Sequence, residues 1–188
     1  MNEIVLNIDK LREIALDQHG YVTTTQANDA GVAKPALAML VKRGRLERAA
    51  FGVYRVPQVP ATQYDPFTLA VLWTGVAEAV LSHETALAAY EVSDVNPTTI
   101  NITVAERRRI RRSGGTGYAI HYQDLEPDQI TWWQQIPIVT LKTAIEQCLQ
   151  SGTPSYLLRQ AIENGGRVGL LLADDVARLT KNLEDRNG

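Results

Sequence analysis

The residues between positions 34 and 55 form a basic segment whose composition suggests a ligand. Six basic residues there are opposed by one acid, Glu47, so the segment has a net charge of +5 in a chain of formal net charge −2. A local excess of positive charge is typical of a surface that binds phosphate. The alternative is a solvated face of a small helical domain. The basic residues are Lys34, Lys42, Arg43, Arg45, Arg48 and Arg55.

A second cluster of cations lies at positions 107 to 112, where five of six residues are arginine, and Ser-Gly-Gly follows it. Guanidinium groups on a glycine-rich tip can bind a nucleic-acid backbone, so this arginine cluster is a candidate second nucleic-acid contact. Two alternatives are a solvated hairpin and ion pairs with Asp124, Glu126 and Asp128. The members of the cluster are Arg107, Arg108, Arg109, Arg111 and Arg112.

Catalytic constellations are absent from the sequence. It contains no H-E-x-x-H, Walker A or G-x-G-x-x-G pattern, and no lysine follows an acid by two positions, as nuclease motifs require. The consecutive residues Ser82-His83-Glu84 would point about 100° apart on a helix, so we interpret them as a helix cap and a half-buried histidine. We predict that the protein is not an enzyme and that it has no cofactor or metal site.

Composition limits the class of protein further. Cys148 is the single cysteine, which excludes an intramolecular disulfide and a cysteine-based metal cluster. No apolar run approaches the roughly 20 residues that a membrane span needs. The chain has 188 residues, of which 45% are hydrophobic, enough for one or two domains with real cores. We expect a cytoplasmic protein with no membrane partner.

The elements that would position the first basic segment predict a winged helix-turn-helix. Thr23 and Gln26 have capping-box spacing, which predicts a short second helix. Pro35 suits the first turn of a third helix, and Gly44 ends it. Residues 46–48 and 53–55 alternate like strands around a tip at 49–52. A first helix is predicted from the apolar residues Ile4, Ile8, Leu11 and Ala15, and the third buries Leu37, Leu40 and Val41.

The remainder predicts a second domain, with a small sheet flanked by helices, so the fold class is α+β. Residues 57–64 carry two prolines and no periodicity, which predicts a linker between domains at 1–58 and 65–188. Asp65 should cap the next helix, with Pro66 in its first turn. Further helices should begin at Ser82, at Thr140, after Pro154 (ending at 164–166) and at Asp174. Strands are predicted at 98–104, 118–122, 128–133 and 136–139.

The aromatic residues of these strands have two interpretations. Aromatic side chains on short strands can stack on the bases of single-stranded nucleic acid. We interpret them instead as core residues, which is the commoner role on short strands. They are Tyr118, Tyr122, Trp132 and Trp133.

Four segments of the first region resemble the N-terminal winged helix of the AbiEi family, whose members are bacterial antitoxins of type IV toxin–antitoxin systems. They are GYVTT (20–24), AGV (30–32), LVKRGRLER (40–48) and FGVYR (51–55). One departure is Ala33, where a Ser or Thr cap is expected. LSHETALAAY (81–90) resembles the helix that opens the family's second domain, which is linked to antitoxin activity. The order of strand, arginine hairpin, strand and helix also resembles that of the family's second domain.

The resemblance implies a DNA-binding antitoxin that represses its own operon and counteracts a nucleotidyltransferase-like toxin. The 35–43 helix would enter the major groove of promoter DNA, with the 49–52 wing against phosphate. Two alternatives are a plain transcription factor whose second domain binds a ligand or partner, and an RNA-binding interaction protein. Both monomer and dimer are compatible with the sequence. The candidate DNA contacts are Thr24, Thr25, Lys34, Lys42, Arg43, Arg45, Arg48 and Arg55.

Overall fold

The computed structural model describes residues 3–187, and side chains from residue 6 to residue 186, so the predicted burial of Ile4 lies outside the described side chains. No helix within residues 3–187 is both long and apolar enough to cross a membrane. The elements in chain order are α1 (Glu3–Leu16), β1 (Tyr21–Thr23), α2 (Thr24–Asp29), α3 (Lys34–Lys42), β2 (Glu47–Ala50), β3 (Val53–Arg55), α4 (Asp65–Trp73), β4 (Val80–Leu81), α5 (His83–Ala89), β5 (Ile100–Val104), β6 (Tyr118–Tyr122), a 3₁₀ turn (Pro127–Gln129), β7 (Ile130–Trp133), β8 (Ile136–Val139), α6 (Leu141–Ser151), α7 (Ser155–Arg167) and α8 (Ala173–Asn187).

The chain divides into two compact units that are not contiguous in sequence. Unit 1 holds the residues up to Ala77 together with 109–116 and 134–136, and unit 2 holds 78–108, 117–133 and the residues from Pro137 onward. This division differs from the predicted boundaries, 1–58 and 65–188, because α4 groups with unit 1. The assignment of a separate function to each predicted domain stays a prediction.

Unit 1 contains the predicted winged helix, and the α+β class is confirmed. Its three strands form an antiparallel sheet in the order β1-β3-β2, and Thr23 of β1 pairs with Val53 of β3. The predicted capping box is present: the Thr23 side chain accepts from the backbone N–H of Gln26, whose side chain accepts from the Thr23 N–H. Buried core residues come from all three helices, among them Leu11, Ala15, Ala27, Leu37 and Leu40, and from the turn before β2, which contributes Leu46.

The segment predicted as a linker packs on unit 1 instead. Val56 and Val59 are buried in the winged-helix core. The carboxylate of Asp65 accepts hydrogen bonds from the backbone N–H and the hydroxyl of Thr62, at 2.9 and 2.8 Å. Tyr64, rather than the predicted Asp65, is the N-cap of α4. Prolines and missing periodicity therefore indicated irregular backbone correctly, but irregular backbone can still be packed.

Most of a five-stranded sheet, in the order β6-β5-β4-β8-β7, belongs to unit 2. The predicted arginine hairpin is wrong, because β5 and β6 are parallel, with Ile100 opposite Tyr118 and Val104 opposite Tyr122. Parallel strands cannot be joined by a tight turn, because the chain must return to the end of the sheet at which the first strand began. Residues 105–117 are therefore a crossover segment.

Helix ends in unit 2 follow local signals with two exceptions. Thr140 caps α6 through its side chain, as predicted. Ser82 is the N-cap of α5, but its side chain makes no capping hydrogen bond. The predicted end of α7 at 164–166 is wrong, because the helix continues to Arg167. A Cβ at Gly165 would lie 2.6 Å from Leu141 Cδ2, so this glycine makes room for a neighbouring side chain and does not end the helix.

Two of the strand aromatics are not core residues. Trp132, on the edge strand β7, is 71% exposed, and Tyr122 is 43% exposed. The predicted core role is wrong for both. Strand alternation places a side chain on one face of a sheet, but whether another element covers that face depends on the tertiary fold.

Candidate nucleic-acid interface

Helix α3 presents one buried and one exposed face, because Leu37 and Leu40 anchor it in the core of unit 1. Its N-cap is Ala33, with no side-chain capping bond, as the departure from the family pattern predicted. The positive φ of Gly44, +67°, lets the chain turn immediately after the helix. The exposed residues of α3 are Lys34, Pro35, Ala38, Met39 and Lys42.

Five of the six cations of the basic segment are exposed and lie on α3, the turn after it, and β2. They are Lys34, Lys42, Arg43, Arg45 and Arg48. Because they lie within 15 consecutive residues, they give this part of unit 1 a concentrated positive charge. Such a surface attracts polyanions even though the whole chain has a net charge of −2.

The wing between β2 and β3 has an aromatic tip. Phe51 is 67% exposed, and the guanidinium carbons of Arg48 and Arg112 lie 5.9 and 5.4 Å from the centroid of its ring. Arg112 also donates to the carbonyl oxygens of Phe51, at 3.0 Å, and Trp73, at 2.9 Å. One arginine of the second cluster therefore lies against the wing within unit 1. Sequence analysis missed this contact because 61 residues separate its partners.

Thr24 and Thr25 differ in their surroundings. The backbone N–H of Thr24 donates to the carbonyl oxygen of Gly52 at 2.9 Å, and its half-buried hydroxyl lies 3.4 Å from the same oxygen. Thr24 therefore holds the wing against α2. Thr25 is exposed, so its hydroxyl is accessible to a ligand.

Arg55 is held inside unit 1. Its guanidinium lies 3.2 Å from the carboxylate of Asp65, and its side chain is only 16% exposed. It also donates to the carbonyl oxygens of His19 and Val59, at 3.2 and 3.1 Å. The ring of Tyr21 lies 5.4 Å from its guanidinium carbon. These contacts assign Arg55 a structural role, so we leave it out of the interface.

The remaining arginines of the second cluster are divided between the two units. Arg107 and Arg108, in unit 2, form ion pairs with Glu78, an acid that the sequence analysis did not name as a partner. The Arg108 hydrogen bond lowers the pKa of Glu78 below its ordinary value. Arg109 and Arg111 belong to unit 1 and are exposed. The members of the cluster therefore have different partners and belong to different units.

Unit 2 contains a pair of stacked histidines, of which His83 is buried and His121 is half-buried. The rings of His83 and His121 have centroids 3.6 Å apart, and His121 Nε2 lies 2.9 Å from Asn101 Oδ1. Burial, together with the neighbouring His121, lowers the pKa of His83 from 6.5 to about 4, and burial also lowers the pKa of His121. Both rings are therefore neutral at pH 7.

The argument that Ser82 and His83 diverge on a helix does not hold for this backbone. Ser82 is extended and His83 has a φ of +50°, so Ser82 Oγ lies 3.0 Å from His83 Nδ1. Ser82 is nevertheless fully buried, and His83 is only 8% exposed. A nucleophile must reach its substrate, so this geometry fits a structural contact and not a catalytic one.

Residues 9–57 match a family model described as a transcriptional regulator, AbiEi antitoxin. The predicted resemblance of the N-terminal winged helix to the AbiEi family is confirmed. The match covers the winged helix, from α1 to just beyond β3, and with it the whole basic segment. No curated protein matches the chain.

A solved structure supports the fold over nearly the whole chain. The crystal structure of RV2827C protein from Mycobacterium tuberculosis is similar with a TM-score of 0.53 and 15% sequence identity, and the match covers 96% of this chain and 74% of that chain. At this identity the likeness establishes the fold alone. The similarity in fold therefore extends beyond the segment that the family model matches.

Proposed function

We propose that this AbiEi-type protein is a DNA-binding transcriptional regulator. The observation that carries the proposal is the set of five exposed cations on α3, the following turn and the wing of a winged helix. In helix-turn-helix domains the recognition helix enters the major groove and neighbouring elements contact the backbone. α3 is the recognition helix of this proposal.

The candidate contacts have different roles in the proposed complex. Lys34 and Lys42 lie at the two ends of α3, Arg48 lies on the wing, and the hydroxyl of Thr25 is accessible. Thr24 acts through the wing that it holds. Phosphate contacts of this kind supply affinity and orientation without selecting sequence. Arg43 and Arg45 extend the cationic surface from α3 towards β2.

We further propose that the protein is an antitoxin of a type IV toxin–antitoxin system. The support is the AbiEi family model that matches residues 9–57. Its partner would be a nucleotidyltransferase-like toxin encoded by the neighbouring gene, and its compartment would be the cytoplasm. Repression would rest on the winged helix, and neutralisation on unit 2. No catalytic step is assigned to either unit.

DNA binding is tested by fluorescence anisotropy with duplex DNA from upstream of the protein's own gene. The full-length double variant Arg43→Ala/Arg48→Ala should bind more weakly, and the slope of its salt dependence should fall by roughly 0.9 for each phosphate that is no longer neutralised. The matched control is Arg159→Ala/Lys181→Ala, which removes two exposed cations from α7 and α8. Equal weakening in both variants would indicate non-specific charge attraction and contradict the proposed interface.

The antitoxin role is tested with the same full-length variants in cells. Arg43→Ala/Arg48→Ala should lose repression of a reporter under the native promoter, yet still rescue colonies that express the neighbouring toxin. Point variants suit this test better than truncations, because unit 1 includes residues 109–116 and 134–136. Failure of the wild-type protein to rescue toxin-expressing colonies would contradict the antitoxin role and leave only the role of transcriptional regulator.

A further inference from the structure

The exposed face of α3 is mostly hydrocarbon. Pro35, Ala38 and Met39 form its centre, and Met39 is 45% exposed. Lysines at positions 34 and 42 stand at its two ends. No side chain on this face carries both a hydrogen-bond donor and an acceptor. The face therefore has an apolar centre between two ammonium groups.

This orientation is fixed by the other side of the helix. Leu37 is fully buried and Leu40 is 1% exposed, so rotating α3 to present different residues would remove both from the core. The start of the helix adds no polar side chain, because its N-cap is Ala33 and its first turn contains Pro35. The apolar centre is consequently what α3 offers to any ligand.

The major groove contains one group that matches such a face. Arg or Lys recognises guanine, and Asn or Gln recognises adenine. No Arg, Asn or Gln is exposed on α3, and its two lysines lie at the ends of the helix, outside the apolar centre. The C5-methyl group of thymine is the one apolar feature of the groove floor, and it packs against apolar side chains. The phosphates beside it would meet the lysines at the helix ends.

We propose that α3 selects its DNA site through thymine methyl groups, which contact Pro35, Ala38 and Met39 while Lys34 and Lys42 bind the flanking phosphates. This inference rests on the proposed DNA binding and specifies the chemistry that the recognition helix reads. The preferred ligand is then duplex DNA that carries thymines among the base pairs that α3 contacts in the major groove. RNA duplexes, which carry uracil and have a deep, narrow major groove, are poor ligands for such a face.

The test compares the native promoter duplex with one in which the thymines of the binding site are replaced by deoxyuridine. This replacement removes only the methyl group and preserves base pairing and the groove acceptors. Removal of two buried methyl groups should weaken binding roughly tenfold. The readout is the dissociation constant of the deoxyuridine duplex divided by that of the thymine duplex. Both are measured with the full-length protein at one salt concentration.

Two variants locate the effect. Met39→Ala should reduce the ratio of the deoxyuridine to the thymine dissociation constant, while Arg43→Ala should weaken binding to both duplexes equally and leave the ratio unchanged. Melting curves verify that both variants fold. Wild-type protein that binds the promoter with a ratio of one would overturn this inference but not the proposed function. An undiminished ratio in Met39→Ala would also overturn the assignment to α3. Failure to bind promoter duplex at all would overturn both.

Discussion

The guanidinium of Arg55 lies 3.2 Å from the carboxylate of Asp65, and this pair links the end of β3 to the first turn of α4 within unit 1. Both side chains are largely buried, at 16% and 12% exposure. Arg55 therefore contributes to the stability of the winged helix, although its position in the basic segment predicted a DNA contact.

Replacement of Arg55 should consequently affect folding first. Arg55→Ala removes the cation that pairs with the Asp65 carboxylate and the donor to two backbone carbonyls, and we expect a loss of about 3 kcal/mol of unfolding free energy. Urea titration measures it, with Arg48→Ala as the control. Arg48 is exposed, so its replacement should change stability by less than about 0.5 kcal/mol. Equal stability of the two variants would contradict the structural role.

The capping box at the start of α2 gives a second stability prediction. Thr23→Ala removes the side chain that accepts from the Gln26 backbone N–H, and should cost about 1 kcal/mol. Thr25→Ala is the matched control, because Thr25 is exposed and lies beyond the cap. Thermal melts of both variants measure the loss of stability. A Thr25→Ala variant as unstable as Thr23→Ala would show that the cap is not the cause.

The stacked histidines predict that stability depends on pH. The folded pKa of His83 is about 4 against an ordinary value of 6.5, so the unfolded chain binds more protons between these values. The stabilising contribution is fully present above pH 6.5 and decreases as the pH falls towards 4. Between pH 7 and pH 5 the loss should be about 2 kcal/mol.

Urea titrations at pH 7 and pH 5 measure this loss. His83→Asn should reduce it, since asparagine cannot titrate and tolerates the φ of +50°. His19→Asn is the control, because His19 has the same φ but lies in unit 1, outside the histidine pair. A pH dependence that is unchanged in His83→Asn would assign the effect to other groups.

The two ends of the arginine cluster should differ in DNA binding. Arg112→Ala removes the guanidinium beside Phe51 and its hydrogen bond to the wing, and should weaken promoter binding. Arg107→Ala should have a smaller effect, because that side chain already forms an ion pair with Glu78. Anisotropy titrations compare the two. A larger effect of Arg107→Ala would point instead to a nucleic-acid surface on unit 2.

Local signals predicted most helix starts and several strands. The capping box at Thr23, the cap at Thr140 and the alternating segment 118–122 each depend on residues within a few positions of one another. Two short strands escaped prediction, β1 with three residues and β4 with two, whereas β3, also with three, was predicted from the wing turn that precedes it. Such strands exist through their pairing with distant partners, and pairing leaves no periodicity in so few residues.

The candidate interface was predictable in charge but not in detail. Charge density in the sequence located the cations of α3 and the wing, which are exposed. It did not distinguish the largely buried Arg55 from the exposed Arg48, because Arg55 is held by an ion pair with Asp65, ten positions further along the chain. Nor could it predict that Arg112 contacts Phe51, since the parallel pairing of β5 and β6 that makes 105–117 a crossover is a long-range property.

The interleaved order of the two units has a consequence for synthesis on the ribosome. The winged-helix core lies within residues 8–59, so it can close early during translation. Unit 1 nevertheless receives residues 109–116 and 134–136 only after β4 and β5 of unit 2 have emerged. In nascent chains released at successive lengths, the N-terminal region should therefore become resistant to protease in two steps. The final step should come only once residue 136 has left the exit tunnel.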